Sequence, residues 1–526
     1  MQQIKKYLQG ITPRDYQISI YQTCKDKNCL VVLPTGTGKT LISLMLTIER
    51  MTKFPQGKVL FLAPTRPLAM QHLAYYKKHL PELFGTMELF TGKTQAEKRK
   101  QLWQNADIVF STPQCLQNDI KNNLYNLSDV SLLVVDECHR CIKNYAYTYV
   151  AEKYQEHALN PRILGLTASP GHEKLKIKKI LDNMNIEAVE IRTRKSEDVE
   201  EYLQDLKFQI EKLDFPAEFM EIRELLKKLF DKKVTELQNR KLLFMPPTKK
   251  FLLELQNRIM KAIASGNKNF NLFSGASACA QTIKLQHALE LLETQTLASF
   301  QAYMLNLFDQ AKQEKSKAVK QLVKQKEFSL AYAKLIDLIA KKIEHPKVQK
   351  LKEIIQEEIK NNQKTKIIVF AQFRDTIVKL CKELKSIEGI RARVFVGQAK
   401  KGEGKNETGM NQKEQKELIE DFSLGKINVI VSSSIGEEGL DIPETTAVIF
   451  YEPIPSAIRT IQRRGRTARM TPGKLIILVT KKTRDESYYW SAFHKEKQMH
   501  KAIDDIKHDF ENKQDNADKD KQEKLF

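Results

Sequence analysis

At 526 residues the chain is too long for one hydrophobic core, and about three domains are expected. Its 87 Lys and Arg outweigh 65 Asp and Glu for a formal charge of +22, which favours a polyanionic partner, nucleic acid first, because each neutralised phosphate releases counterions. No apolar run approaches bilayer-spanning length, the opening MQQIKKYLQG lacks the apolar centre of a signal peptide, and the seven cysteines form no paired framework; these features exclude a membrane or disulfide-stapled secreted protein and predict a cytoplasmic one.

Residues 1–199 alternate apolar runs (CLVVLP, KVLFLAP, ADIVFSTP, LLVVDE, RILGLTAS) with helical patterns, the mark of buried parallel strands whose C-terminal ends carry function. PTGTGKT follows the first strand and precedes the helical LISLMLTIER, the context a P-loop needs. Pro34, Thr35, Gly36, Thr37 and Gly38 form a loop whose backbone N–H groups can meet phosphates. Lys39 is expected to reach the β- and γ-phosphates of ATP, and Thr40 to offer its hydroxyl to Mg²⁺. DECH ends another strand: Asp136 is expected to hold Mg²⁺, with Glu137 beside it at the metal, orienting the attacking water and taking its proton. His139 is expected to couple this site to TAS through Thr167 and Ser169. Cys138 and Cys141 make a CxxC with no second pair at zinc spacing, so it is read as a chance spacing.

Between about 200 and 345 strand-like runs give way to helical stripes, Ile222, Leu225, Leu226, Leu229 and Phe230, then Leu285, Leu289, Leu292 and Phe300. This predicts an all-helical insert. Its segment AKQEKSKAVKQLVKQK sets six lysines against Glu314; it is either a solvated helix face or a phosphate-tracking surface through Lys315, Lys317, Lys320 and Lys324. The overall charge favours the surface.

Residues 346–505 return to the first style with KIIVFAQ, RARVFVG, NVIVSSS, AVIFYEP and KLIILVT, a second α/β lobe. Four arginines crowd into QRRGRTAR and would repel one another unless some face phosphate. An arginine finger offered across a lobe interface neutralises transition-state charge and makes hydrolysis depend on closure. The stretch 506–526 is polar and charge-mixed, a frayed helix or disordered tail.

In order, these motifs resemble the superfamily 2 helicases. The resemblance implies two RecA-like parallel-sheet lobes with the helical insert between them. It implies that Gln17 of TPRDYQ contacts the purine edge, supported by Arg14. It puts Thr65, Arg66, Gly92, Thr112 and Pro113 (APTRPLAMQ, TGK, STPQ) on the sugar-phosphate backbone, together with Phe370, Arg374 and Thr376 (VFAQFRDT) and Ser433. Gly439 and Asp441 match residues that approach ATP from the second lobe, and Gln462, Arg466 and Arg469 the γ-phosphate sensor and fingers.

NYAYTYVAEKY, LGLTASPG, VFVGQA, SIGEEGLDIPE, FYEPIPSAIRTIQRRGRTAR and, inside the insert, HALELLETQ resemble more narrowly the archaeal Hef helicases, relatives of the Fanconi anaemia group M and Mph1 translocases. This likeness implies a 3′-to-5′ ATP-dependent motor on stalled forks and Holliday-type junctions, with the insert engaging branched DNA. No ERKxxxD element of an XPF-type nuclease is found, so a helicase portion is expected, with a separate nuclease among its partners. KQEKLF resembles clamp-docking peptides and adds a sliding clamp. An RNA helicase, or a RIG-I-like double-stranded RNA sensor sharing DECH and a helical insert, is the alternative. Motifs that hold backbone carry little base information.

Overall fold

The computed structural model of the protein describes residues 2–266, 269–362, 364–397, 409–433, 442–467 and 472–523. Three expected site residues, Gly439, Asp441 and Arg469, lie outside them.

The Val, Ile and Leu runs form buried strands. In the first lobe these are β1 (Cys29–Val32), β2 (Lys58–Leu62), β3 (Met87–Phe90), β4 (Ile108–Ser111), β5 (Val130–Asp136), β6 (Ile163–Thr167) and β7 (Ala188–Ile191). They form one parallel sheet in the order β3-β4-β2-β5-β6-β1-β7. Alternate residues of one strand feed opposite apolar layers: Val32, Leu60 and Val135 lie on one face, Val31, Phe61 and Val134 on the other. Helices cover both faces, which is why these strands read as continuous apolar runs.

The second sheet holds β8 (Leu206–Leu213), β9 (Ile367–Phe370), β10 (Ala392–Phe395), β11 (Val429–Ser432), β12 (Ala447–Phe450) and β13 (Gly473–Thr480). Its order is β10-β11-β9-β12-β13-β8, again parallel. β8 corrects the expected insert boundary at residue 200. Leu206, Phe208 and Ile210 alternate with Lys207, Gln209 and Glu211, the period-two pattern of a sheet-edge strand with one wet face. A search for unbroken apolar runs passes over it.

The insert proper comprises helices Ala217–Asn239, Lys249–Ala264, Phe270–Thr294, Leu297–Lys312, Lys317–Val323 and Lys326–Ala340. Ile222, Leu226 and Leu229 meet Leu285, Leu289, Leu292 and Phe300 in its core. Thr248, Asn269, Thr296 and Ser316 cap four of these helices by accepting from exposed backbone N–H groups.

Of the two readings of the polar stretch from residue 506, the structure takes the helical one as far as Glu523. A single helix, Arg484–Glu523, leaves the second lobe and runs across the first. Met499, Ala502, Ile503 and Ile506 join the first lobe's apolar layer. Lys174 of that lobe pairs with Asp509 at 3.1 Å. No helix among the described residues is long and apolar enough to cross a membrane.

Candidate ATP site and nucleic-acid face

The P-loop leaves β1 and opens helix Lys39–Lys53, with DECH and TAS at the ends of β5 and β6. Because β5, β6 and β1 are adjacent, the three motifs share one edge, where parallel sheets bind ligands. Gly38 has φ 78°, and a Cβ there would stand 2.3 Å from Gln17 Nε2. Only glycine allows both that backbone and that approach. Gln17 Nε2 and the Tyr16 hydroxyl both donate to the Thr37 carbonyl, at 3.0 and 2.6 Å, while Gln17 Oε1 accepts from the Arg14 N–H. The expected purine-reading residue is thereby built into the phosphate loop. Arg14 stacks over Tyr202, 4.6 Å from its ring centre, an aromatic that no motif marks. Thr37 Oγ1 donates to the Pro34 carbonyl, and Lys39 Nζ donates to the carbonyls of Leu33 and Pro34 at 3.0 and 3.3 Å.

His72, also missed from sequence, stands between two expected metal-site residues: its Nδ1 is 3.5 Å from Thr40 Oγ1 and its Nε2 3.0 Å from Asp136 Oδ2. Burial alone would raise the Asp136 carboxyl. The hydrogen bond and charge of His72, with Lys39, outweigh it and hold the carboxyl below its usual range. An ionised carboxylate and a hydroxyl are the hard oxygen donors that suit Mg²⁺, which takes one or two carboxylates and completes its shell from phosphates and water. Glu137 has left-handed backbone, φ 49° and ψ 46°, a strained conformation typical of functional sites. Its Oε2 is 3.2 Å from His139 Nδ1 but poorly aligned for a hydrogen bond, and the same Nδ1 lies 3.2 Å from Thr167 Oγ1. His139 therefore does join DECH to TAS. Cys138 and Cys141 are both buried, which pushes the first thiol well above its usual pKa and the second up to about 12.

The second lobe meets this edge through helix Ala457–Arg464. A Cβ on Gly465 would lie 2.6 Å from Thr35 Cβ, so motif QRRGRTAR abuts the P-loop. Gln462 and Arg466 are buried here. Their neighbours do other work. Arg463 is fully buried between Phe370 and Phe450, 4.9 and 5.4 Å from the ring centres. Arg464 pairs with Glu496 of the C-terminal helix at 2.9 Å.

The expected strand-gripping residues cluster on matching edges of the two sheets. Thr65, Gly92 and Thr112–Pro113 follow β2, β3 and β4, which are neighbours, and Thr65 and Thr112 begin helices there. Arg374 and Ser433 follow β9 and β11, and Arg374 donates to the Gly397 carbonyl just past β10. Arg66 spans the cleft, donating to Gln412 Oε1 at 3.3 Å. Two assignments are corrected. Phe370 is a buried strand residue stacked on Arg463, and Thr376 is buried against the insert, so neither faces a strand. Of the insert lysines, Lys315, Lys317 and Lys324 are exposed, while Lys320 pairs with Glu314.

HALELLETQ lies inside the insert, as expected. Most of it is buried at the base of the insert. Glu290 accepts from Lys249 and from Tyr488 of the C-terminal helix, and Glu293 from Arg484. The Glu293 carbonyl accepts from His345, and Gln295 from Thr376. The motif joins insert to second lobe.

Residues 14–177 match the DEAD/DEAH box helicase family and 346–471 the helicase conserved C-terminal domain. Residues 218–337 match the family described as "Putative ATP-dependent RNA helicase, helical bundle". The solved helicase domain of Pyrococcus furiosus Hef is 43% identical with a TM-score of 0.68, covering 91% of this chain and 98% of that one. A Methanocaldococcus jannaschii protein named "Putative ATP-dependent RNA helicase" is 38% identical over 93% of this chain and 60% of its own length. The ATP-dependent DNA helicase mph1 of Neurospora crassa is 34% identical over 90% of this chain and 41% of its own. The Fanconi anemia group M protein homolog of Mus musculus is 31% identical over 93% and 26%. The chain thus spans 26–60% of the length of these curated relatives. With the P-loop, DECH and QRRGRTAR gathered at one lobe interface and a helical insert between the lobes, the chain belongs to the Hef helicases of superfamily 2, kin of Mph1 and the Fanconi anaemia group M protein.

Proposed function

We propose that this helicase is a DNA motor, moving 3′ to 5′, that remodels stalled forks and Holliday-type junctions. Lys39 and the loop N–H groups take the ATP phosphates, and Thr40 and Asp136 would hold Mg²⁺, which would supply charge neutralisation to the phosphates there. Glu137 takes the proton of the attacking water, and the γ-phosphate is sensed by Gln462 and met by Arg466, with Arg469, Gly439 and Asp441 joining from the second lobe. Thr65, Arg66, Gly92, Thr112, Pro113, Arg374 and Ser433 grip the strand. The cytoplasm is the working compartment, with a sliding clamp or a separate nuclease as partner.

The observation that carries the reading is the attachment of the insert. Glu290, Glu293 and Gln295 bond it to the second lobe and its trailing helix, so lobe movement on hydrolysis carries the insert with it. A rigid arm moving with the motor suits a substrate with branches. The names of the Mph1 relatives as DNA helicases support DNA. The name of the M. jannaschii relative favours RNA as the second reading. ATPase rates with single strand, duplex, fork, four-way junction and RNA, side by side, test both. Strongest stimulation by fork or junction DNA is expected; equal or greater stimulation by RNA would overturn the assignment.

A further inference from the structure

One side of the insert shows solvent a group of side chains that a folded protein ordinarily hides. Between helices Ala217–Asn239 and Lys249–Ala264 the chain reads RKLLFMPPT. Leu243 is buried in a small core with Leu237, Leu252 and Ile259, and Leu242 packs beside it. Leu242 lies so close to helix Phe270–Thr294 that a Cβ on Gly275 would stand 2.2 Å from its Cδ1. Arg258 donates to the Leu242 carbonyl, and Arg240 to Asn271 Oδ1 at 3.1 Å. The loop is therefore braced from three sides, and Pro246 and Pro247 stiffen its exit. From this fixed base Phe244 and Met245 project, 76% and 51% exposed. Phe270, beside Asn271, is 81% exposed.

A braced loop does not present a phenylalanine to water by accident, and exposed apolar groups of this kind mark contact surfaces. The surrounding charge names the partner. From Arg240 to Lys261 six basic side chains stand against Glu254; Arg240 pairs with Glu236 and Lys249 with Glu290, so Lys241, Lys250, Arg258 and Lys261 carry the excess. Apolar rings within basic residues are the chemistry of unpaired bases: the rings stack on bases while the cations follow the phosphates.

We propose that Phe244 and Met245 form a pin that stacks against unpaired bases at the branch point of forked DNA, with Phe270 as a second platform. The proposal rests on the branched-DNA reading above and adds the contact that distinguishes a branch from a plain strand. The pin lies on the insert, away from the sheet edges that grip backbone, so its loss leaves the motor running on single strands.

The test is binding and ATPase of the whole chain with fork and single-stranded DNA, comparing wild type with Phe244→Ala, Phe244→Trp and the double variant Phe244→Ala/Met245→Ala. Phe244 is exposed, so the variants fold. The alanine variants are expected to bind forks about 5- to 100-fold more weakly, the range that loss of base stacking gives. Single-strand affinity and single-strand-stimulated ATPase stay within about twofold of wild type. Phe244→Trp restores fork affinity, and 2-aminopurine at the branch is quenched by wild type and Phe244→Trp alone. Fork affinity of the alanine variants within twofold of wild type overturns the pin, and would leave the patch to a protein partner. Wild-type protein with no preference for forks overturns the branched-DNA reading instead.

Discussion

Thr376 donates from Oγ1 to Gln295 Oε1 at 2.8 Å, and Ser299 Oγ lies 2.9 Å from the same hydroxyl. A second-lobe residue, expected to face a nucleic-acid strand, instead closes a dry polar joint with the insert. All three side chains are buried, so breaking the joint strands polar atoms. Thr376→Val should lower stability by about 1–3 kcal/mol in denaturant unfolding. Basal ATPase at low temperature should persist, and fork-stimulated ATPase should fall as the insert loses its bearing. Retention of both stability and fork stimulation would show that the joint holds nothing.

The hydrolytic assignments have a sharper readout. Lys39→Ala or Glu137→Gln should reduce ATP turnover by at least 100-fold, with DNA affinity in gel-shift assays changed little. Normal turnover in either variant would remove that residue from the chemistry.

Arg99 offers a test of how the proposed grip is held. Its guanidinium engages both carboxylate oxygens of Asp119 and the Thr94 carbonyl, fixing the TGK turn to the helix that begins at Pro113. Tyr125 donates to the same carboxylate at 2.8 Å. Arg99→Ala leaves the Asp119 carboxylate buried without its cation, a loss of about 3–5 kcal/mol. Below the melting transition, the DNA concentration for half-maximal ATPase should rise several-fold while the rate at saturating DNA changes less. An equal fall of both would point to general damage.

The second lobe should also be pH-sensitive. Burial raises Glu452 to about 7, against the opposing pull of Lys347 and Arg463. From its usual 4.5 up to about 7 the folded state keeps a proton that the unfolded chain has released. Stability is therefore lost as pH rises through that window. Burial raises Asp485 in the same direction. Glu452→Gln keeps an acceptor for the Gln372 N–H and removes the titration, so its Tm should fall less than that of wild type between pH 5 and 8. Parallel pH profiles would exonerate Glu452.

The insert lysines distinguish tracking from bulk charge. Replacing Lys315, Lys317 and Lys324 with Gln should weaken fork binding more than single-strand binding and flatten its salt dependence, whereas Lys320, held by Glu314, should matter least. Equal loss on both DNAs would make the cluster generic charge.

What the sequence revealed follows a physical division. Motifs at strand ends are local: PTGTGKT and DECH announce their strand, loop and helix within a dozen residues, and the two lobes could be read from runs such as KVLFLAP and NVIVSSS. Pairings far apart in the chain left no local trace. Nothing near His72 says that it will lie between Thr40 and Asp136, and nothing near Met499 that it will pack on Ser169. Motif position places Thr376 and Phe370 at the strand, but it does not report burial. Arg463 sits among arginines suited to phosphate yet is stacked between two phenylalanines from neighbouring strands. HALELLETQ marked an important place correctly in kind, but adjacency to Tyr488 and Arg484 is a fact of the fold.

The helix Arg484–Glu523 has a consequence for how the protein is made. The first lobe's apolar layer is complete only when Met499, Ala502, Ile503 and Ile506 arrive. A ribosome adds about 5–20 residues per second. The roughly 300 residues between that lobe and its closing helix therefore take about 15–60 s to synthesise. Throughout that interval the nascent lobe carries an uncovered apolar strip. Early release would leave the strip bare, so for this chain premature termination near residue 484 should produce an aggregating polypeptide rather than a shorter helicase.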